Sequence, residues 1–252
     1  MRWSPELRRL DWLVARPIAH RGLHNVKAGI VENCESAFAA AIAGNYAIEC
    51  DLQLSGDGEA VVFHDGTLDR LTDMKGSVGQ RSVRELKRVG FKSGKDSIQT
   101  FSELLEQVDG NVPLVVEIKT QWDGNPQLVD RATDLVRPYK GHLAFMSFDP
   151  KAIARLRQMK DPRPAGIVAD RTTPAWYPEL TPRERLSMRA FLHARETRPD
   201  FISYYWRDFP YPPVNRFRAA GHPVICWTIK SREAQRRALR YCDQITFEDF
   251  AA

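Results

Sequence analysis

Eight short apolar runs, most of them followed by a stretch with helical periodicity, recur along this 252-residue chain, and that alternation leaves few folds open. The runs lie at 17–20, 46–51, 113–118 (PLVVEI), 142–147 (HLAFMS), 165–169 (AGIVA), 200–204 (DFISY), 223–228 (PVICWT) and 244–247 (QITF). Helix-like segments fall at 35–44, 126–137, 150–160, 182–196, 213–220 and 231–240. Thr181, Pro182 and Glu184 open the 182–196 segment with both an N-terminal proline and capping-box spacing. Strand and helix in strict alternation build parallel sheets, and eight such units close on themselves as a TIM (β/α)8 barrel. The count is eight only if a ninth run, 60–64, belongs to a hairpin and not to the barrel wall. An open doubly wound sheet is the alternative, but it normally carries a glycine-rich phosphate turn after a strand, and HRGLHN at 20–25 is not one.

The stretch from Ala47 to Asp65, AIECDLQLSGDGEAVVFHD, carries the first chemical signal. Glu49 and Asp51 stand two apart in an extended run, so both carboxylates leave one face, and a carboxylate pair invites a cation. SGDG then turns the chain, and the segment between the two runs is too short for a parallel crossover, so the second run returns antiparallel. If the turn centres on Asp57 and Gly58, residues summing to about 115 face each other, which predicts His64 opposite Asp51.

The 66–112 segment contains glycine turns and two capping boxes, Ser82 with Glu85 and Thr100 with Glu103. It is too long for a loop and is expected to be a small insertion after the second strand, covering the site of an otherwise single 1–252 domain. Residues 4–14 read as a short N-terminal helix with Ser4 as cap, Pro5 at the first turn and apolar Trp3, Leu7, Leu10 and Val14. Such a helix either packs on the domain or, with Arg2, Arg8, Arg9 and Arg16, lies on a membrane surface.

With 37 basic and 32 acidic residues the net charge is +5, which suits anionic small molecules without demanding a polyanion. No aromatic-studded basic groove points to nucleic acid, and no run reaches the length of a membrane span. The four cysteines, at 34, 50, 226 and 242, show no metal-ligand spacing, and Cys50 and Cys226 are expected to face the outer helices as small buried hydrophobes. Reduced thiols and the absence of a signal-peptide pattern predict a cytoplasmic protein.

IAHRG at 18–22, EN at 32–33, IECDLQLSGDGEAVVFHD at 48–65, LDRLT at 68–72, VVEIK at 115–119, SFDP at 147–150 and WTI at 227–229 resemble the glycerophosphodiester phosphodiesterase family, within the barrel phosphodiesterases that include phosphatidylinositol-specific phospholipases C. The resemblance implies a TIM barrel that hydrolyses glycerophosphodiesters to glycerol 3-phosphate and an alcohol. The neighbouring glycerol hydroxyl attacks phosphorus, and water then opens a cyclic phosphate. Val31 and Cys34 replace the family's usual proline and threonine around EN, and TFED at 246–249 replaces its usual TD-type ending, which leaves the roles of Glu248 and Asp249 open.

Within that frame Glu49, Asp51 and Glu117 form an all-oxygen ligand set for one hard divalent cation, magnesium or calcium, with manganese also suited. Three inward charges at strand ends make isolated ion pairs an expensive alternative. Arg21 and Lys119 are the cations expected to stabilise charge on the phosphoryl oxygens, with a structural pairing of Lys119 to Glu117 as the other reading. His20 and His64 are the two proton carriers; which acts first as acid is not legible in the chain. Glu32 is expected to orient Arg21. Asn33 either approaches substrate or metal or caps the following helix, and Trp227 stands at a strand end beside the substrate. His24, His142, His193 and His222 have no comparable setting. Aromatic loops at 172–180 and 204–213 either pack among themselves or line a slot for the alcohol. A lysophospholipase D-type phosphodiesterase and a noncatalytic phosphate-binding barrel are the alternative functions.

Overall fold

A computed structural model describes residues 8–252. In chain order these form α1 (Asp11–Val14), β1 (Ile18–Ala19), α2 (Glu35–Ala43), β2 (Ala47–Leu54), β3 (Ala60–Val62), α3 (Val83–Leu86), α4 (Phe101–Val108), β4 (Leu114–Ile118) and α5 (Gln127–Val136). β5 (Leu143–Ser147), α6 (Pro150–Met159), β6 (Ala165–Ala169), α7 (Pro182–Arg189), α8 (Ala194–Thr197), β7 (Phe201–Tyr205), α9 (Pro212–Ala219), β8 (Val224–Ile229), α10 (Arg232–Ala238) and β9 (Gln244–Phe247) follow. The sheet runs β1-β9-β8-β7-β6-β5-β4-β2, and parallel pairing of β1 with β2 closes it into an eight-stranded TIM barrel. β3 pairs with β2, antiparallel, makes a single further bridge from Val61 to Thr100, and stays outside the ring.

Strand alternation divides the apolar residues between two cores. Ala19, Ile48, Cys50, Val116 and Cys226 face outward into the layer shared with the helices. Ile18, Ala47, Val115, Ala144, Met146, Val168, Phe201 and Ile225 face inward and fill the barrel. Gly166 makes room there, because a Cβ on it would lie 2.5 Å from the Phe201 ring. Leu10 and Leu13 of the α1 segment join this inner cluster, so the N-terminal element plugs the barrel floor, and Gln244 Nε2 bonds the Val14 carbonyl at 2.9 Å. Trp3, Ser4, Pro5 and Leu7 of the predicted helix lie outside the described residues; within them the helix begins only at Asp11. No helix among the described residues is long and apolar enough to cross a membrane.

The hairpin register differs from the predicted one by a single residue. Leu52 faces Val62 and Leu54 faces Ala60, so pairs sum to 114, and the Asp51 carbonyl accepts from the Phe63 amide at 3.0 Å. A three-residue loop centred on Asp57 causes the shift: the Gly58 amide donates to the Ser55 carbonyl, and Gly58 takes φ 83°, where glycine is at ease.

Beyond the hairpin, Phe63, Leu68, Val78, Leu86, Phe91 and Ile98 form a satellite core against Val31 and Ala37. Asp96 of this segment caps the start of α2, accepting from Ser36 Oγ at 2.6 Å and from the Ser36 amide at 3.3 Å. α4, at the end of the 66–112 stretch, instead packs Phe101, Leu104 and Val108 into the barrel's outer core. The predicted 182–196 helix is broken into α7 and α8 at Phe191, which takes φ 53° and is fully buried while α7 buries none of its own residues. Sinking that one ring is incompatible with continuing an otherwise polar helix.

Leu13 is 1% exposed at the floor plug. Leu13→Ala is expected to lower unfolding stability by about 2–5 kcal/mol, read from urea denaturation; a midpoint matching the parent would show that the plug contributes nothing.

Candidate active site

The inward-facing positions change character toward the carboxyl ends of the strands. Along β2, Ala47 is followed on the same face by Glu49 and Asp51; along β4, Val115 is followed by Glu117 and, just past the strand, Lys119. Asp51 and Glu117 are register neighbours. Glu49, Asp51 and Glu117 are all buried, and one carboxylate oxygen of each lies within 4.8 Å of the others.

The loop after β1 wraps this cluster. Arg21 and Asn33 both take left-handed backbone conformations, φ 57° and 55°. Gly22 follows at φ 78°, and a Cβ there would lie 2.8 Å from the Ala37 carbonyl carbon of α2, which accounts for the glycine of HRG. So turned, the Arg21 amide donates to Glu49 Oε2 at 3.0 Å. Asn33 Nδ2 donates to Asp51 Oδ2 at 2.8 Å and its Oδ1 accepts from the Asp51 amide. Asn33 therefore holds a carboxylate and does not cap α2, whose N-cap position is Cys34.

Two cations balance part of the charge. Lys119 Nζ lies 2.6 Å from Glu117 Oε1 and 3.1 Å from Asp51 Oδ1. Arg21 Nη1 donates to Glu32 Oε1 at 2.6 Å, while its buried Nε, 3.4 Å from Asp51 Oδ2, has no well-formed hydrogen bond. Glu32 in turn accepts two bonds from Arg70, at 2.7 and 2.9 Å.

Each of the two candidate histidines meets a carboxylate through Nδ1. His64 Nδ1 is 2.6 Å from Asp65 Oδ1, and Arg70 Nε donates to the other Asp65 oxygen, also at 2.6 Å. His20 Nδ1 bonds Glu248, which also receives Lys230, with His24 Nε2 at 3.6 Å. The opposite edge of the His20 ring faces the cluster, with Nε2 4.0 Å from Glu49 Oε2.

Asp65, Arg70 and Glu248 were not among the residues expected from sequence. HD and LDRLT contain the first two, whose signal was present without a role, whereas Glu248 meets His20 from 228 positions away. His24 stands beside Glu248, in keeping with a loop close to the mouth of the barrel. His142 stacks on Trp12, and His193 and His222 pack against Phe191 and Phe217.

Trp227 points inward, its Nε1 donating to the Ser203 carbonyl at 3.2 Å and its ring edge-on to Phe148 at 5.5 Å. Beside Glu117 and Lys119 opens a cavity of about 330 Å³ walled by Trp122, Phe148, Trp176 and Tyr177. Trp176 of the 172–180 loop reaches it. Trp206 of the other aromatic loop faces away, beneath Arg207 and Arg237.

Burial pushes the Glu49 carboxyl well above its ordinary range, and the charges of Asp51 and Glu117 push it further. Burial likewise raises Glu117 against the opposing pull of Lys119. Asp51 is also driven up by burial, but Lys119, His64 and Arg21 outweigh that and hold it below the usual carboxylate range. Burial lowers the His20 pKa, partly offset by Glu248. Burial of Glu32 is overcome by Arg70 and Arg21, which hold it at about 2. Three crowded carboxylates whose repulsion two cations leave unrelieved, and which form an all-oxygen candidate ligand group, fit a hard divalent cation better than a soft metal.

Residues 20–249 match the Glycerophosphoryl diester phosphodiesterase family. The chain is 31% identical over 152 residues to the glycerophosphodiester phosphodiesterase of Caldanaerobacter subterraneus, a match covering 56% of this chain and 61% of that relative's length. It is 31% identical to the "Probable glycerophosphodiester phosphodiesterase 1" of Mycobacterium tuberculosis over 92% of this chain and 87% of that one. An Oleispira antarctica phosphodiesterase, solved with the product sn-glycerol-3-phosphate, shares the fold with a TM-score of 0.76 over 94% of each chain at 23% identity. The family match runs from the residue that follows β1 to the second residue past β9, and the chain belongs to the glycerophosphoryl diester phosphodiesterase family.

Proposed function

We propose that this chain hydrolyses glycerophosphodiesters to glycerol 3-phosphate and an alcohol by histidine acid–base catalysis. The observation that carries the reading is the pair of histidine–carboxylate dyads, His20 with Glu248 and His64 with Asp65, set about one cluster of buried carboxylates. Breaking a phosphodiester needs a proton taken from the nucleophile and another given to the departing alkoxide. A carboxylate on Nδ1 fixes each imidazole's tautomer and orientation and leaves Nε2 for that exchange. One histidine takes the proton of the glycerol hydroxyl as it bonds to phosphorus, and the other protonates the alcohol oxygen as its bond to phosphorus breaks. With roles reversed, the same pair activates the water that opens the cyclic phosphate.

Arg21 and Lys119 supply donors for the phosphoryl oxygens, where negative charge disperses in the transition state. The unspent Arg21 Nε and a third N–H on Lys119, two of whose donors face Asp51 and Glu117, support this. Glu49, Asp51 and Glu117 would hold one divalent cation, magnesium, calcium or manganese, which when bound supplies further positive charge to those oxygens. The relay from Asp65 through Arg70 and Glu32 to Arg21 ties the His64 dyad to the phosphate clamp, so Glu32 acts by positioning. The sn-glycerol-3-phosphate product bound by the Oleispira relative is in keeping with this substrate class. Four free, buried cysteines support a reducing, cytoplasmic setting.

Glycerol 3-phosphate release from glycerophosphocholine is expected to stop in EDTA and to return with magnesium, calcium or manganese. His20→Ala and His64→Ala are each expected to lower kcat by about 100-fold or more. Release that survives both chelation and both substitutions would refute the mechanism. Glu248→Gln keeps the shape but removes the charge against His20 Nδ1; kcat is expected to fall roughly 10- to 100-fold with KM little changed. A change confined to KM would remove Glu248 from the proton-transfer machinery.

A further inference from the structure

Proton transfer and phosphate binding as proposed above leave unused the aromatic wall of the cavity that Lys119 and Glu117 share, and that wall is chemically selective. Trp122 stands perpendicular to Tyr177 with ring centroids 6.2 Å apart, and Phe148 lies tilted against Tyr177 at 6.3 Å. Trp176 completes the wall and is 53% exposed at its rim. Polar groups of the lining are already engaged with one another. Thr120 Oγ1 donates to Asp149 Oδ2 at 2.9 Å, Ser147 Oγ donates to the Ile118 carbonyl at 2.7 Å, and Asp149 Oδ1 accepts from the Lys151 amide. Apart from the third N–H of Lys119 and the Glu179 carboxylate, a neutral polyol such as glycerol would find few free hydrogen-bonding partners on this wall.

What the cavity does offer is aromatic rings and, at its rim, a carboxylate. Glu179 lies at the rim, and among the described residues its carboxylate has no hydrogen bond or ion pair. Burial, Asp170 and Glu117 push the Tyr177 phenol upward, and Glu179 adds to them. Lys119 Nζ already sits 5.8 Å from the Phe148 ring centroid, and its own charge is countered by Glu117 and Asp51. Aromatic faces with an uncompensated carboxylate form the setting in which organic cations bind.

We propose that this cavity binds the positively charged head of the leaving alcohol, a quaternary ammonium held by Trp122, Trp176 and Tyr177 with Glu179 at its rim. The assignment rests on the phosphodiesterase reading, because Glu117 and Lys119 belong both to the catalytic cluster and to the cavity lining. Glu179 and Trp176 are thereby specificity-determining residues, placed to discriminate between alcohols without touching the phosphate.

Two diesters, one of a cationic and one of a neutral alcohol, test it: glycerophosphocholine and glycerophosphoglycerol. The parent protein is expected to favour the choline diester by about tenfold in kcat/KM, and Glu179→Gln and Trp176→Ala are each expected to cut that ratio to about threefold or less. A parent ratio near one, or a ratio unmoved in both variants, overturns the proposal. Tetramethylammonium titrated onto the protein, followed by broadening of its methyl proton resonance, reads the site without turnover. Binding that weakens in Glu179→Gln supports the cation site, and no binding to the parent overturns it. Hydrolysis of neither diester, with Glu179-dependent tetramethylammonium binding intact, would sink the phosphodiesterase reading and leave the cation site standing.

Discussion

Mutual repulsion among three buried carboxylates is the constraint around which this barrel's mouth is arranged. Glu49, Asp51 and Glu117 stand within 4.8 Å of one another on adjacent strands, where burial alone already disfavours their charged forms. Neighbouring features answer that repulsion in part: Lys119 between Glu117 and Asp51, the Arg21 amide on Glu49, and both ends of the Asn33 amide on Asp51. Reaching those positions requires left-handed backbone at Arg21 and Asn33, a conformation that ordinary residues adopt at a cost. The residual repulsion is what makes the site suited to a cation.

Barrel closure and site assembly are the same event here. β1 is only two residues long, yet it pairs on one side with β2 and on the other with β9, and the His20 amide bonds the Phe247 carbonyl at 2.9 Å. The carboxylate cluster comes from β2 and β4, while the residue that steadies His20 comes from just past β9. If β1 did not bridge first and last strands, His20 would lose Glu248 and the Arg21 loop would lose its hold on Glu49. The floor plug of Leu10 and Leu13 supports that closure from the opposite end, by filling the space between the starts of the strands.

The barrel was legible because period-two alternation and apolar runs are local, and each of the eight wall strands overlaps a run visible in the chain. Capping boxes at Ser82, Thr100 and Thr181 are local for the same reason, and all three are formed. Features that depend on distant partners were harder to read. Asn33 reads equally well from sequence as a neighbour of substrate or metal and as a cap on the helix that follows it, and only its distant partner, Asp51 on β2, separates the two. The hairpin register slipped by one because a three-residue loop and a two-residue turn both place Gly58 in the left-handed region, and what decides between them is Asp57, which does not take the positive φ a two-residue primed turn would require. The break at Phe191 is tertiary in origin: helical periodicity continues through it, and burial of the ring overrides that pattern.

The two sides of the mouth have opposite chemistry, and the difference follows from which groups are already paired. On the side of β1, β9 and the hairpin, carboxylates and bases alternate through His20, Glu248, Lys230, Arg21, Glu32, Arg70 and Asp65, so charge is matched almost residue for residue. Such a network is densely paired, with the Arg21 Nε as an exception, and suits holding two imidazoles and an arginine in fixed directions. On the side of β4, β5 and the loop after β6, hydroxyls and Asp149 bond among themselves and the exposed surfaces are rings. A substrate spanning both would meet fixed donors at its phosphoryl group and a chemically distinct wall at its variable end. On the phosphodiesterase reading proposed above, the groups that would hold the phosphoryl end and those that would face the alcohol come largely from different strands, with β4 shared between them through Glu117 and Lys119.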